Sequence, residues 1–96
     1  MNEIAISKYI GLAIRAGSVV YGLDNIKKSA RNINVIIYCH TASTNLEKSL
    51  LRLSENSKIK IIKLMENSLD NLIRTTNFKA IGVTNTHLAE QIILLK

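Results

Sequence analysis

The chain has 96 residues, with thirteen Lys and Arg against seven Asp and Glu, for a formal net charge of +6. That length makes one domain spanning residues 1–96, and 47% apolar content with only 4% aromatics requires a core of Ile, Leu, Val and Ala. A single cysteine, Cys39, excludes an internal disulfide and fits a reducing cytoplasm. No apolar run reaches membrane-spanning length, and Ser7, Lys8 and Arg15 interrupt any secretory-signal pattern.

In chain order, Ile6, Tyr9, Ile10, Ala13 and Ile14 recur at helical spacing and predict a helix over Glu3–Ala16. Val19–Tyr21 is a short strand, brief enough for a sheet edge. Leu23–Asn32 reads as a helix, with Ile26 and Ala30 inward and Lys27, Lys28 and Arg31 outward. Val35–His40 is a continuous apolar strand, the pattern of burial on both faces. Thr44–Asn56 is a helix capped by Ser43 or Thr44, with Glu47 three residues after Thr44 as a capping-box partner. Ile59–Ile62 (strand), Ser68–Thr75 (short helix), Lys79–Thr84 (strand) and Thr86–Leu95 (helix) complete the order. Strands alternating with helices predict an α/β fold: a three-layer α/β/α sandwich on a small, mixed but mostly parallel sheet.

The sequence carries little enzyme chemistry. Cys39 and His40 are adjacent on a strand and therefore diverge to opposite faces, so Cys39 is expected as a buried small residue rather than a nucleophile. One Cys and two distant His do not make a zinc site. No GxGxxG or GxxxxGK[ST] phosphate loop is present, and the central strand ends in Cys-His rather than the aspartate of a phosphoacceptor domain. The expectation is a non-enzyme without cofactor or metal.

The charge pattern points elsewhere. A pI near 9.7 is that of nucleic-acid-binding domains, and Lys8, Arg15, Lys27, Lys28 and Arg31 are opposed between them only by Asp24. The run GLAIRAGSVVYGLDNIKK presents a helix start on the Gly22 turn, where unpaired backbone N–H groups attract anions and short side chains can read base edges. A second candidate surface is the loop Arg74-Thr75-Thr76-Asn77-Phe78-Lys79, expected beside the Gly22 turn at one end of the sheet. Phe78, the one phenylalanine, is expected to pack into the core as it enters its strand; the alternative is stacking on a base. Lys58, Lys60 and Lys63 form a further basic group, with Lys58 and Lys60 sharing one strand parity and Lys63 the other.

The run GLAIRAGSVVYGLDNIKKSA, followed by VIIYCHTAS and IGVTN, resembles the YlxQ-type bacterial proteins over nearly the whole chain. These are relatives of the archaeal ribosomal proteins of the "L-seven-Ae" and "L-thirty-e" family. The resemblance implies a non-enzymatic ribosomal or ribonucleoprotein component, a cytoplasmic monomer that binds structured RNA such as a kink-turn in ribosomal or other RNA. The family reads RNA with a Gly-x-Asn-Glu-x-x-Lys segment, which falls on Gly22, Asp24, Asn25 and Lys28. Asp24 stands where the family has Asn, and Asn25 where it has Glu; an aspartate offers acceptors only and adds negative charge near phosphates. Lys27, Arg31, Arg74, Thr75, Asn77 and Lys79 complete the expected RNA-binding set. The rival expectation is a ribosome-associated protein–protein adaptor with weak, non-specific RNA binding.

Overall fold

The computed structural model describes residues 2–67, 69 and 78–96. Helix α1 (Glu3–Arg15) is followed by β1 (Val19–Tyr21), α2 (Leu23–Lys28) and a 3-10 turn at Ala30–Asn32. Strand β2 (Val35–Cys39), α3 (Thr44–Ser57), β3 (Lys60–Leu64), β4 (Ala80–Val83) and α4 (Thr86–Leu94) follow. The short helix expected at Ser68–Thr75 lies outside the described residues, apart from Leu69, which is buried.

The four strands form one sheet in the order β1-β4-β2-β3. It is mixed, and not mostly parallel as the alternation of elements suggested. Only β2 and β3 pair in parallel; β4 is antiparallel to both β1 and β2. Because β1 and β2 both oppose β4, strands β1, β2 and β3 run one way and β4 alone runs back. Inserted between β1 and β2, that one reversed strand makes two of the three pairings antiparallel. Hydrophobic pattern reports burial, and a strand buried on both faces looks the same in either direction. The edge position expected for β1 is found.

The period-two alternation of β2 builds both cores. Val35, Ile37 and Cys39 face α1 and α4, packing with Ile6, Ile10 and Ile92. Ile36 and Tyr38 face α2 and α3, packing with Ile26 and Leu50. The sheet is thus covered on both faces, completing an α/β/α sandwich. Gly82, in the middle of β4, admits Ile33 against the sheet: a Cβ there would meet Ile33 Cδ1 at 2.7 Å.

Local capping sets the helix limits. Asn2, Ser43 and Asn85 accept hydrogen bonds from the backbone N–H groups of Ala5, Leu46 and Leu88, closing the first turns of α1, α3 and α4. With Ser43 as the cap, Glu47 falls one residue beyond the capping-box position. Its carboxylate instead accepts the Tyr38 hydroxyl at 2.7 Å and pairs with Lys63 Nζ at 2.9 Å. Glu3, buried at the start of α1, accepts from the backbone N–H groups of Met65, Glu66 and Asn67 and from Asn67 Nδ2, at 2.8–3.2 Å. It fastens the chain after β3 to α1.

Candidate nucleic-acid interface

The carboxyl ends of β1 and β2 and the amino end of β4 meet at one end of the sheet, as Tyr21 pairs with Ile81 and Tyr38 with Ala80. The chain leaves β1 through Gly22, at φ +82° and ψ 156°, a region open essentially to glycine alone. Gly22 N–H donates to Ala80 O at 3.1 Å, and Gly22 O accepts from Ile26 N at 3.0 Å. The turn is thereby tied to β4 while opening α2. Gly22 caps α2 with no side-chain hydrogen bond.

Gly22 is required for a second reason: a Cβ there would lie 3.2–3.3 Å from Cδ1 and Cε1 of Phe78. The Phe78 ring rests over the bare glycine and against Tyr21, with ring centroids 5.6 Å apart and planes inclined by 35°. It is 46% exposed, so the expected core packing of Phe78 is not what the fold does. The ring stands at an open cleft of about 460 Å³ together with Gly22, Asp24, Asn25, Leu46 and Lys79. Only tertiary structure brings this about, since the core positions beside β4 are already filled by aliphatic side chains. A lone aromatic next to a basic residue after a polar loop was the only sequence signal for it.

The expected residues therefore divide into groups. Gly22, Asp24, Asn25 and Lys79 share the cleft, as expected of the two loops lying side by side. Asn25 does not hold its amide wholly free for a ligand: Nδ2 donates to Tyr21 O at 2.9 Å, bracing the turn. Lys27 leaves the cleft and lines a groove between α2 and α3 with Ser49, Arg52, Leu53 and Asn56. Lys28 is exposed at the last position of α2.

Arg31 is separated from Gly22. The helix expected over Leu23–Asn32 stops at Lys28, and Arg31 sits in the 3-10 turn, lining a cavity of about 390 Å³ at the opposite end of α2 with Ile33, Asn34, Ser57 and Lys58. The turn lets Ile33 reach Gly82. Arg74, Thr75 and Asn77 lie outside the described residues.

The second basic group also separates. Lys58 is not on a strand but ends α3 in the left-handed region, at φ 55°. Lys60 begins β3 on the side of Ile62 and Leu64, while Lys63 takes the other side, ion-paired with Glu47 and 6.0 Å above the Tyr38 ring.

Cys39 is fully buried, 3.0 Å from Thr41 Oγ1, whereas His40 is exposed. The two do not converge. Among the described residues no group of three or more His, Cys, Asp or Glu is placed to hold a metal ion, and no helix is long and apolar enough to cross a membrane.

No family model matches the chain, and no curated protein matches it. Among solved structures it is similar to a protein of unknown function from Bacillus halodurans, with a TM-score of 0.85, 20% identity and 94% of each chain covered. At that identity the likeness is one of fold, and it shows that the α/β sandwich built on this sheet is one that a distant sequence also adopts.

Proposed function

We propose that this chain is a small, non-enzymatic RNA-binding protein of the YlxQ type, engaging structured, kink-turn-like RNA at the cleft between the β1–α2 turn and the start of β4. The observation that carries the reading is Phe78. A half-exposed ring, seated on a glycine and backed by Tyr21, is a stacking platform for an unpaired base, which is how single-stranded and bulged RNA is held. Asp24, Asn25 and Lys79 border that platform and supply polar contacts to a stacked nucleotide. Lys27 and Lys28 stand one turn further along α2 to meet phosphates. A cytoplasmic ribosomal or ribonucleoprotein setting belongs to the same proposal and is supported by the single buried thiol and the basic charge.

The test is a titration against a kink-turn RNA and a matched uninterrupted duplex at two salt concentrations. Preference for the kinked RNA supports the proposal; equal, strongly salt-dependent binding to both overturns it. One observation favours the second reading, a ribosome-associated protein adaptor: Asp24 brings negative charge to the cleft, while part of the Asn25 amide is spent on Tyr21. That reading gains if both RNAs bind weakly and alike.

A further inference from the structure

The cations outside the cleft have a common placement. Helices α2 and α3 lie side by side over one face of the sheet and run in the same direction. Their first turns meet at the cleft, where Asp24 and Asn25 stand near Leu46. The last turn of α2 and the middle and later turns of α3 form the groove holding Lys27 and Arg52. The 3-10 turn that follows α2 and the end of α3 form the cavity holding Arg31 and Lys58. Three consecutive depressions thus follow the two helices from end to end, roughly 20 Å over the fourteen residues of α3.

Along this line all the charged residues but one are cations. Lys79 stands at its head, then Lys27, Arg52, Arg31 and Lys58, and Asp24 is the one acid lining any of the three depressions. Glu55 is near Arg52 in sequence but makes no ion pair with it, and the one ion pair among the described residues is Lys63–Glu47, away from the line. A cation after the C-terminus of a helix is stabilised by the helix dipole, so Lys58 alone would carry no meaning. Its alignment with Lys27, Arg52 and Arg31, none of which is in an ion pair among the described residues, does. Lys60 borders the last cavity, but the alternation of β3 turns its side chain to the sheet's other face, and it is left out of the line.

We propose that the α2–α3 face is a second RNA contact, a track for the phosphate backbone of the helical stem that leaves the Phe78 cleft, with Arg52 and Lys58 as phosphate-binding residues. The inference rests on the reading of the cleft as an RNA site. The track carries affinity and not sequence preference, because phosphates are the same at every step.

The experiment compares the full chain with Arg52→Gln/Lys58→Gln, and with the control Lys8→Gln/Lys96→Gln, which removes the same charge from the α1–α4 layer. Each is titrated over a salt series against a kink-turn RNA with a long flanking stem, and against the same RNA with that stem cut back to its closing pairs. Thermal melts establish that the variants fold, as expected for exposed side chains. On the long-stem RNA, Arg52→Gln/Lys58→Gln is expected to bind about 10- to 50-fold more weakly near physiological salt, with the logarithmic salt slope flatter by about 1.4 to 1.8. The short-stem RNA should show little of this loss, and the control variant little on either RNA. Unchanged affinity and slope on the long stem would overturn the track, and so would an equal loss in the control, which would reduce the effect to net charge. Failure of the cleft reading looks different: the unmodified chain itself would then bind kinked RNA no better than duplex, and the track would fall with it.

Discussion

Phe78 and Gly22 are complementary: the ring occupies the space that any side chain on residue 22 would fill, 3.2 Å from where its Cβ would stand. The glycine turn and the aromatic are far apart in the chain, so each is explained only by the other. Gly22→Ala should therefore act twice. The φ of +82° is strained for alanine and costs about 1–3 kcal/mol of stability, readable in a denaturant melt. The displaced ring should also lower RNA affinity at temperatures where the variant remains folded. A melt indistinguishable from that of the unaltered chain would show that the turn is not held as described.

Phe78→Ala should separate binding from stability. A ring 46% exposed contributes little to the core, so the melting temperature should move only slightly. Loss of a base-stacking surface should weaken kink-turn binding by about 1–3 kcal/mol, or about 5- to 150-fold, without altering the salt slope. Lys28→Ala gives the converse pattern, a slope flatter by about 0.7 to 0.9 with a smaller change in affinity. Filter binding or fluorescence anisotropy at several salt concentrations distinguishes the two.

Glu3 should shape the acid limb of stability. Burial by itself would raise its pKa, but the donors from Met65, Glu66 and Asn67 outweigh burial and hold it below the ordinary 4.5. A carboxyl with a depressed folded-state pKa stabilises fully above its unfolded value, and that contribution is lost as pH falls through the folded one. Glu3→Gln, which faces backbone donors with an amide, should cost about 1–3 kcal/mol near neutral pH. The difference should shrink steadily as pH drops below about 4.5. A pH-independent difference would mean that the carboxylate charge is not what holds this segment.

Tyr38 should govern the alkaline limb. Burial, followed by the hydrogen bond to Glu47 and the charge of that carboxylate, pushes its pKa up from 10.0 to about 12. A phenol with a raised folded-state pKa keeps its stabilising effect below pH 10 and loses it as pH rises towards 12. Ultraviolet titration should show one tyrosine ionising late. Glu47→Gln should bring that step down only part of the way, because burial is the larger cause. Full return to 10 would assign the shift to Glu47 alone.

Much of this fold is local and was therefore legible in the chain. The periodicity of α1, the unbroken apolar run of β2, the edge placement of β1 and the break at Gly22 each arise from side chains a few residues apart. Their sequence spacing is their spatial spacing. The pairing of Gly22 and Asp24 with Lys79 was also within reach, since alternating elements return loops to one end of a sheet.

Three features were settled by packing between distant segments. The reversal of β4 is one, because a doubly buried strand carries the same apolar pattern in both directions. The exit of Phe78 from the core is another: whether a lone aromatic is buried depends on how fully its neighbours already fill the sheet. The division of the basic residues is the third. Lys27 and Arg31 are neighbours in sequence yet face different depressions, because α2 stops at Lys28 and the following turn carries Ile33 onto Gly82. Arg52 and Lys58, more than twenty residues away, stand beside them instead. Charge is a property of the residue and can be counted along a chain. A charged surface is a property of helix packing, and only the parallel docking of α2 and α3 set these cations in line.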